Sequence, residues 1–184
     1  GRCCINTQTA HLLALKYDLS PDKEKIRSNL RKLFRKNKEK LETGFVGTPL
    51  LGNVLTDNGF PELVWKLVLN EGYPGWLHEV LLGATTVWER WNSVEDDGAI
   101  SGTGMNSLNH YAYGSVLEWI FRHGAGLDFD GNVPGCRSAV MKPELNWKVG
   151  NISAVYDSPA GKYALSWKIL DEHHVEILAE VPLG

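Results

Sequence analysis

Residues 48–70, TPLLGNVLTDNGFPELVWKLVLN, carry the start and stop signals of two consecutive helices. Thr48 followed by Pro49 predicts a helix start, because threonine caps a helix N-terminus and proline fits its first turn. Asn58 and the glycine after it predict the end of that helix, and Pro61 predicts the start of the next one. A link this short favours two antiparallel neighbours, so the stretch predicts a helical hairpin.

Helical spacing continues upstream of this hairpin. Residues 7–17 place apolar side chains at helical intervals. A further helix is predicted to begin at Ser20, with Pro21 in its first position. Its apolar residues fall on one stripe, formed by Ile26, Leu30, Leu33 and Phe34.

This second helix is strongly basic. Residues 23–40 hold nine Lys or Arg against two Glu, which suits either a nucleic-acid patch or the solvated face of an amphipathic helix. The single apolar stripe and the overall net charge of −3 favour the solvated face. We therefore expect no nucleic-acid partner.

Downstream of residue 70 the helical period is lost. Residues 71–104 are punctuated by Gly, Pro and Trp, and a long irregular stretch inside a helical domain is more often functional than connective. A last helix is predicted over 108–123, after which the spacing of the apolar residues changes.

Beyond about residue 134 the hydrophobic period becomes two. The alternation predicts strands over 152–157, 162–169 and 174–181, with turns at SPAG (158–161) and DEHH (171–174). The sequence therefore predicts a mainly α protein with a β tail. We expect a helical domain over 1–127 and an antiparallel sheet domain over 128–184.

Composition narrows the class of protein. In 184 residues with 43% hydrophobic content, no apolar run has the length that crosses a bilayer, so no membrane insertion is expected. The chain opens in the middle of a helical pattern without a secretory leader, which predicts a piece of a longer protein. Cys3, Cys4 and Cys136 fit neither a disulfide framework nor zinc spacing and are expected to be free thiols. The cellular compartment stays open.

The first candidate for chemistry is TTVWERW, residues 85–91. Glu89 and Arg90 lie between Trp88 and Trp91. One interpretation is a surface ion pair with both indoles in the core. The other is a site in which the indoles wall a sugar pocket and partly desolvate the Glu89 carboxylate, which favours its use as a base.

The second candidate is GMNSLNHYAYGS, residues 104–115. Its amide, imidazole and phenol groups are neutral hydrogen-bonding groups, which suit a polyhydroxylated ligand. The alternative is a helix cap at Asn109 with His110 satisfied locally. The groups concerned are Asn106, Asn109, His110, Tyr111 and Tyr113.

Weaker signals point to no metal site. DFDGN (128–132) lacks the remaining oxygen ligands of a calcium loop and is read as a turn. His173 and His174 are expected on a strand, where adjacent side chains face opposite sides. The sequence contains no glycine-rich phosphate loop, HExxH or GxSxG.

Several segments resemble the bacterial α-L-rhamnosidases of glycoside hydrolase family 78. They are TGFVGTPLLGNVLTDNGFPELVWKLVLNEGYPGWL (43–77), GATTVWERW (83–91) and GMNSLNHYAYGSVLEWIFRHGAGL (104–127), in the order of the family. YDSPAGKYALSW (156–167) resembles the start of the β-domain that follows the catalytic barrel. The resemblance implies the C-terminal helical hairpins of an (α/α)6 barrel followed by the N-terminal part of an antiparallel β-sandwich domain.

The resemblance also implies an activity and residues that carry it. Enzymes of this family remove terminal α-linked L-rhamnose with inversion, and bond cleavage requires no metal or other cofactor. The Glu of the TTxWERW motif is their general base, here Glu89, and the His of NHYAYG contacts rhamnose, here His110. Trp88, Trp91 and Asn109 are candidates for the pocket walls. The implied partners are rhamnose-containing glycosides or polysaccharides.

An inverting glycosidase also needs a carboxylic acid, about 6.5–9.5 Å from the base. In the family this acid lies on an acidic motif upstream of the segments matched here, and no such motif occurs in this sequence. We therefore expect the acid on a missing N-terminal part of the same enzyme and an inactive isolated chain. Helix faces left uncovered predict self-association.

The residues by themselves are also compatible with two other functions. A related helical-barrel glycosidase acting on another sugar would have similar pocket chemistry. A non-catalytic carbohydrate-binding or structural module would use the same aromatic and amide groups without hydrolysis.

Overall fold

The computed structural model describes residues 5–102 and 104–183. The chain divides into two compact units, Gly1–Val116 and Leu117–Gly184. Helices precede the strands along the chain, and the strands pair in antiparallel fashion. The predicted fold class, mainly α with an antiparallel β tail, is confirmed by this order of elements.

The described part of the first unit contains five complete α-helices: α1 (Gln8–Lys16), α2 (Lys23–Lys36), α3 (Thr48–Asp57), α4 (Pro61–Val68) and α5 (Trp76–Leu81). The helices of the predicted hairpin, α3 and α4, each carry a proline in the first turn, and α3 ends at its C-cap Asn58 as predicted. Gly47 rather than Thr48 is the N-cap of α3, because the Thr48 hydroxyl instead bonds the Thr43 hydroxyl at 2.8 Å.

Helix α2 begins later than predicted. The Asp22 carboxylate accepts the Lys25 backbone N–H at 3.0 Å and caps the helix, whereas the Ser20 hydroxyl accepts from Asp22 in the turn before it. The predicted cap at Ser20 is therefore wrong, since a carboxylate two residues downstream satisfies the first-turn donors.

The basic face of α2 is solvated, as the spacing predicts. Ile26, Leu30 and Phe34 are buried on one side of the helix. The exposed basic side chains are Lys23, Lys25, Lys32, Arg35 and Lys36. The apolar stripe joins the core of the first unit, whose most deeply buried leucines are Leu12, Leu30, Leu51, Leu55, Leu63 and Leu67.

The described residues of 82–102 and 104–112 are irregular, as the broken period predicts, apart from one antiparallel bridge between Val94 and Ile100. The last helix does not cover 108–123. Helical structure there begins with a 3-10 turn (Tyr113–Ser115) and continues through α6 (Val116–Trp119) and a π-helical turn (Ile120–Ala125). Residues 107–110 are unwound because their main chain bonds to the segment around Val87 instead.

The second unit contains two antiparallel sheets. A three-stranded meander joins β3 (Asn151–Ser158), β4 (Gly161–Ile169) and β5 (Val175–Glu180), with the predicted turns at 159–160 and 170–174. A smaller sheet pairs β1 (Leu127–Phe129) with β2 (Ala139–Met141) and was not predicted, since three-residue strands are too short to show a period. The core of this unit is formed by Ala125, Leu127, Ala154, Tyr163 and Leu165.

Three local expectations for the second unit are corrected or refined. His173 and His174 lie in the turn before β5 rather than on a strand, because both backbone N–H groups bond the Asp171 carboxylate. The first two residues of DFDGN belong to β1, and the turn begins only after them. Cys136 is a free thiol, whereas Cys3 and Cys4 lie outside the described residues.

Candidate active site

The segment TTVWERW packs its indoles inward. Trp88 and Trp91 are buried, and Glu89 and Arg90 are half-buried. The Trp91 ring stacks on Tyr113 with centroids 4.0 Å apart and planes 11° from parallel, and the Trp76 ring meets it edge-on at 5.2 Å. The Trp91 Nε1–H donates to the Thr43 carbonyl at 3.2 Å. These rings form an aromatic layer, Trp76–Trp91–Tyr113, and the Glu89–Arg90 pair lies between two buried indoles in the sequence.

Two segments hold Glu89 and His110 side by side. The Glu89 backbone N–H donates to the Ser107 carbonyl at 2.9 Å, and the His110 N–H donates to the Val87 carbonyl at 2.7 Å. The Thr86 hydroxyl adds a short bond to the Leu108 carbonyl. The segments that carry the two residues, 21 positions apart in the sequence, are therefore joined by main-chain hydrogen bonds.

The Glu89 carboxylate is oriented by a main-chain donor. The Ser107 N–H donates to Glu89 Oε2 at 2.6 Å. An ionised carboxylate offers about four acceptor sites on two oxygens, so one such bond fixes its direction and leaves capacity to accept from a water molecule. The geometry suits a base whose position is set by the backbone.

The His110 ring has a defined hydrogen-bonding role. The Ala112 backbone N–H donates to His110 Nδ1 at 3.2 Å, so in the neutral imidazole the proton is assigned to Nε2. The ring stacks on Phe45, with centroids 4.8 Å apart and planes 12° from parallel, and on Tyr111, at 5.2 Å and 11°. These contacts restrict rotation of the ring, and Nε2–H is the donor that remains for a ligand.

The other polar residues of the second motif have different roles. The Asn106 amide donates to the Ser93 and Ser101 carbonyls at 2.9 and 3.2 Å and so braces the loop rather than a ligand. Asn109 is exposed, and its backbone N–H and carbonyl both bond the Ser107 hydroxyl. Tyr113 is buried in the aromatic layer, and Tyr111 is largely exposed.

Sequence reasoning missed two residues of this region. Phe45, in the loop between α2 and α3, carried no signal beyond its place in the TGFVG stretch, yet it stacks on His110. Glu79, on α5, is a buried carboxyl with 3% of its surface exposed. Burial raises the pKa of Glu79 to about 7.

The pKa of the Tyr113 phenol is also raised. Burial, and next the charge of Glu79, raise the pKa of Tyr113 to about 12. Tyr113 therefore stays a neutral phenol at physiological pH. It supplies an aromatic surface and no charge.

No group of three or more His, Cys, Asp or Glu within residues 5–102 and 104–183 could hold a metal ion. In the same ranges, no helix combines the length and apolar character that a membrane crossing requires. The arrangement around Glu89 offers one oriented carboxylate, one imidazole donor and aromatic faces. Such a set of groups suits a neutral polyhydroxylated ligand.

Comparison with known domain families shows which family this chain belongs to. The family described as bacterial alpha-L-rhamnosidase 6 hairpin glycosidase domain matches residues 1–123. The family described as bacterial alpha-L-rhamnosidase C-terminal domain matches residues 126–184. The chain belongs to the bacterial α-L-rhamnosidase family.

Curated relatives from two bacterial genera agree with this family. An alpha-L-rhamnosidase of Alteromonas sp. (strain LOR) is 40% identical over 168 residues, covering 90% of this chain and 18% of that protein. The alpha-L-rhamnosidase of Streptomyces avermitilis is 37% identical over 170 residues, covering 91% of this chain and 16% of that protein. The chain thus spans less than a fifth of the length of these rhamnosidases.

Solved structures of rhamnosidases match almost the whole chain. The Streptomyces avermitilis α-L-rhamnosidase complexed with L-rhamnose aligns with a TM-score of 0.86 at 33% identity, covering 96% of this chain and 17% of that one. The native rhamnosidase of Aspergillus terreus aligns with a TM-score of 0.91 at 32% identity, covering 96% and 21%. The resemblance inferred from the motifs is therefore confirmed.

Proposed function

We propose that the chain is the C-terminal part of an inverting glycoside hydrolase that releases terminal α-linked L-rhamnose from glycosides or polysaccharides. The observation that carries the proposal is the pairing of an oriented carboxylate, Glu89, with the imidazole donor of His110 on adjacent segments. Membership of the rhamnosidase family supports the identity of the sugar.

In this proposal Glu89 is the general base. Its carboxylate takes a proton from water while the water oxygen attacks the anomeric carbon, and the glycosidic C–O bond breaks on the opposite face. The leaving oxygen takes a proton from a carboxylic acid about 6.5–9.5 Å from the base. We place that acid on a part of the enzyme outside these 184 residues.

The remaining site residues bind the sugar and shape its pocket. His110 Nε2–H donates to a sugar hydroxyl, with the ring held by Phe45 and Tyr111. Trp88 and Trp91 shape the pocket from behind the Glu89 segment, and Asn109 borders it from the exposed turn. No metal or other cofactor takes part in the bond cleavage.

The domain division follows the same proposal. Residues 1–127 form the last part of the catalytic barrel, and residues 128–184 form the first part of the following sheet domain. The partner of both is the rest of the same enzyme, and an isolated chain self-associates through faces that this partner covers.

The test is the full-length enzyme with an aryl α-L-rhamnoside. Glu89→Gln keeps the shape of the side chain but removes the base, so kcat is expected to fall roughly 10²–10⁴-fold, the usual contribution of general base catalysis. Glu95→Gln, at an exposed carboxyl of the same loop, is the matched control and should keep kcat.

Two results would contradict the proposal. A Glu89→Gln enzyme with unchanged kcat would remove Glu89 from the chemistry. Proton NMR of the first-formed rhamnose showing retained anomeric configuration would remove the inverting mechanism.

A further inference from the structure

A buried glutamine on α1 binds the main chain of the loop between α2 and α3. Gln8 is fully buried, and both ends of its side-chain amide are hydrogen-bonded. Its Nε2–H donates to the Lys40 carbonyl at 2.9 Å, and its Oε1 accepts the Glu42 backbone N–H at 3.0 Å. One side chain therefore bonds an acceptor and a donor of residues 40–42, as a neighbouring strand would.

The two partners of this pairing need each other. A buried amide destabilises a fold unless it is hydrogen-bonded, and the main chain of an irregular loop lacks the partners that a helix or sheet supplies. The pairing between Gln8 and residues 40–42 satisfies both requirements. It also fixes where the loop lies against α1.

Between this pairing and Phe45 the loop is short and closely held. The Thr43 hydroxyl bonds the Thr48 hydroxyl at 2.8 Å, and the Thr43 carbonyl accepts the Trp91 Nε1–H at 3.2 Å. The Gly44 carbonyl accepts the Thr48 backbone N–H at 3.0 Å. Because so few residues separate the pairing from Phe45, and these are themselves bonded, a shift at the start of the loop is carried to the ring.

The Phe45 ring meets the imidazole that is the candidate sugar donor. It stacks on His110 with centroids 4.8 Å apart and planes 12° from parallel, and it contacts Tyr113 at 5.9 Å. The ring is 41% exposed, so its position depends on the loop that carries it rather than on enclosure in a core. Printed contacts therefore lead from Gln8 through the loop to His110.

We propose that Gln8 is a positioning residue for His110, whose amide fixes residues 40–42 and thereby places the Phe45 ring that orients the imidazole. The inference rests on the proposed contact of His110 with the sugar. A hydrogen bond that is equally strong in the bound substrate and in the transition state affects KM and leaves kcat unchanged. Loss of the Gln8 pairing should therefore weaken sugar binding rather than slow the chemical step.

The Glu89 segment does not depend on this pairing. Its main chain bonds to Ser107, and Trp91 keeps its stack on Tyr113 when the loop moves. The base should therefore keep its position in a Gln8 variant. This difference between the two site residues makes the inference testable by kinetics.

The test measures KM and kcat of the full-length enzyme on an aryl α-L-rhamnoside for Gln8→Met and Phe45→Leu. Methionine fills a similar volume without an amide. We expect each variant to raise KM about 3- to 10-fold, the factor that loss of one hydrogen bond produces, with kcat per folded enzyme within about twofold. In the double variant the two effects should not multiply, because Gln8 acts through Phe45.

Leu12→Ala is the matched control. It removes buried apolar volume from the same helix and so destabilises the fold, but it touches no amide. Its KM should stay unchanged, since a variant that merely loses folded protein lowers the apparent kcat alone. His110→Ala, measured in parallel, tests the sugar contact itself.

The outcomes separate this inference from the proposed function. If His110→Ala raises KM while Gln8→Met keeps it, the positioning role of Gln8 is wrong and the sugar contact stands. If His110→Ala keeps KM, the sugar contact is wrong and the inference is wrong with it. Effects of Gln8→Met and Phe45→Leu that multiply fully would also overturn the inference. If Gln8→Met does not fold, Gln8→Asn decides, because its amide is one methylene too short to reach residues 40 and 42 together, and an unchanged KM in that variant would overturn the inference.

Discussion

The buried carboxyl of Glu79 makes the folding stability of the chain depend on pH in a defined direction. The pKa of this group rises from 4.5 to about 7 on folding because the side chain is buried. Between these values the folded chain holds a proton that the unfolded chain has released. Stability contributed by the neutral carboxyl is therefore complete below about pH 4.5 and is lost as the pH rises through 7.

The size of the effect follows from linkage. At about 1.4 kcal/mol for each pKa unit, the rise from 4.5 to about 7 corresponds to at most roughly 3.5 kcal/mol of unfolding free energy. Glu79→Gln removes the titration while it keeps the size of the side chain and its acceptor. The quantity to compare is the unfolding free energy of the variant minus that of the unchanged chain. This difference should be about 1–3 kcal/mol higher at pH 8 than at pH 5.

The assay is urea unfolding followed by far-UV circular dichroism, for both proteins at pH 5 and pH 8. Other groups with shifted pKa values, such as Asp128 and Glu39, are common to both proteins and cancel in the difference. Glu71→Gln, at an exposed carboxyl in the loop before α5, is the matched control. An equal difference at both pH values would refute the reasoning, since it would show that Glu79 ionises alike in the folded and unfolded chain.

Two further predictions concern the aromatic layer and the separated chain. Trp91→Ala is expected to lower the unfolding free energy by about 3–5 kcal/mol. Trp91→Phe should lower it by only about 1–3 kcal/mol, because a ring still faces Tyr113 while the hydrogen bond to the Thr43 carbonyl is lost. Equal losses of the two variants in urea unfolding would contradict the stacked geometry. The isolated chain should hydrolyse an aryl α-L-rhamnoside no faster than buffer does, because under the proposed function it contributes only the base of an acid–base pair. Turnover that disappears in Glu89→Gln would show that the acid is present in this chain.

The amino-acid sequence by itself determined the type and order of the main elements. Proline in the first turns of α3 and α4, with Asn58 between them, defines a hairpin through local backbone preferences that need no tertiary contact. The alternation of apolar and polar residues in β3 and β4 likewise indicates a sheet with one buried face. The motifs around Glu89 and His110 were long enough to indicate the family before any fold was known.

Only the tertiary structure decided how the site is built. Residues 107–110 have helical spacing in the sequence, but their main-chain groups bond the segment around Val87, and these long-range bonds compete successfully with a helix start. The tautomer of His110 follows from the Ala112 N–H, and the burial of Glu79 follows from the attachment of α5 to the aromatic layer. Neither can be read from local pattern, because each depends on residues far apart in sequence that meet only after folding.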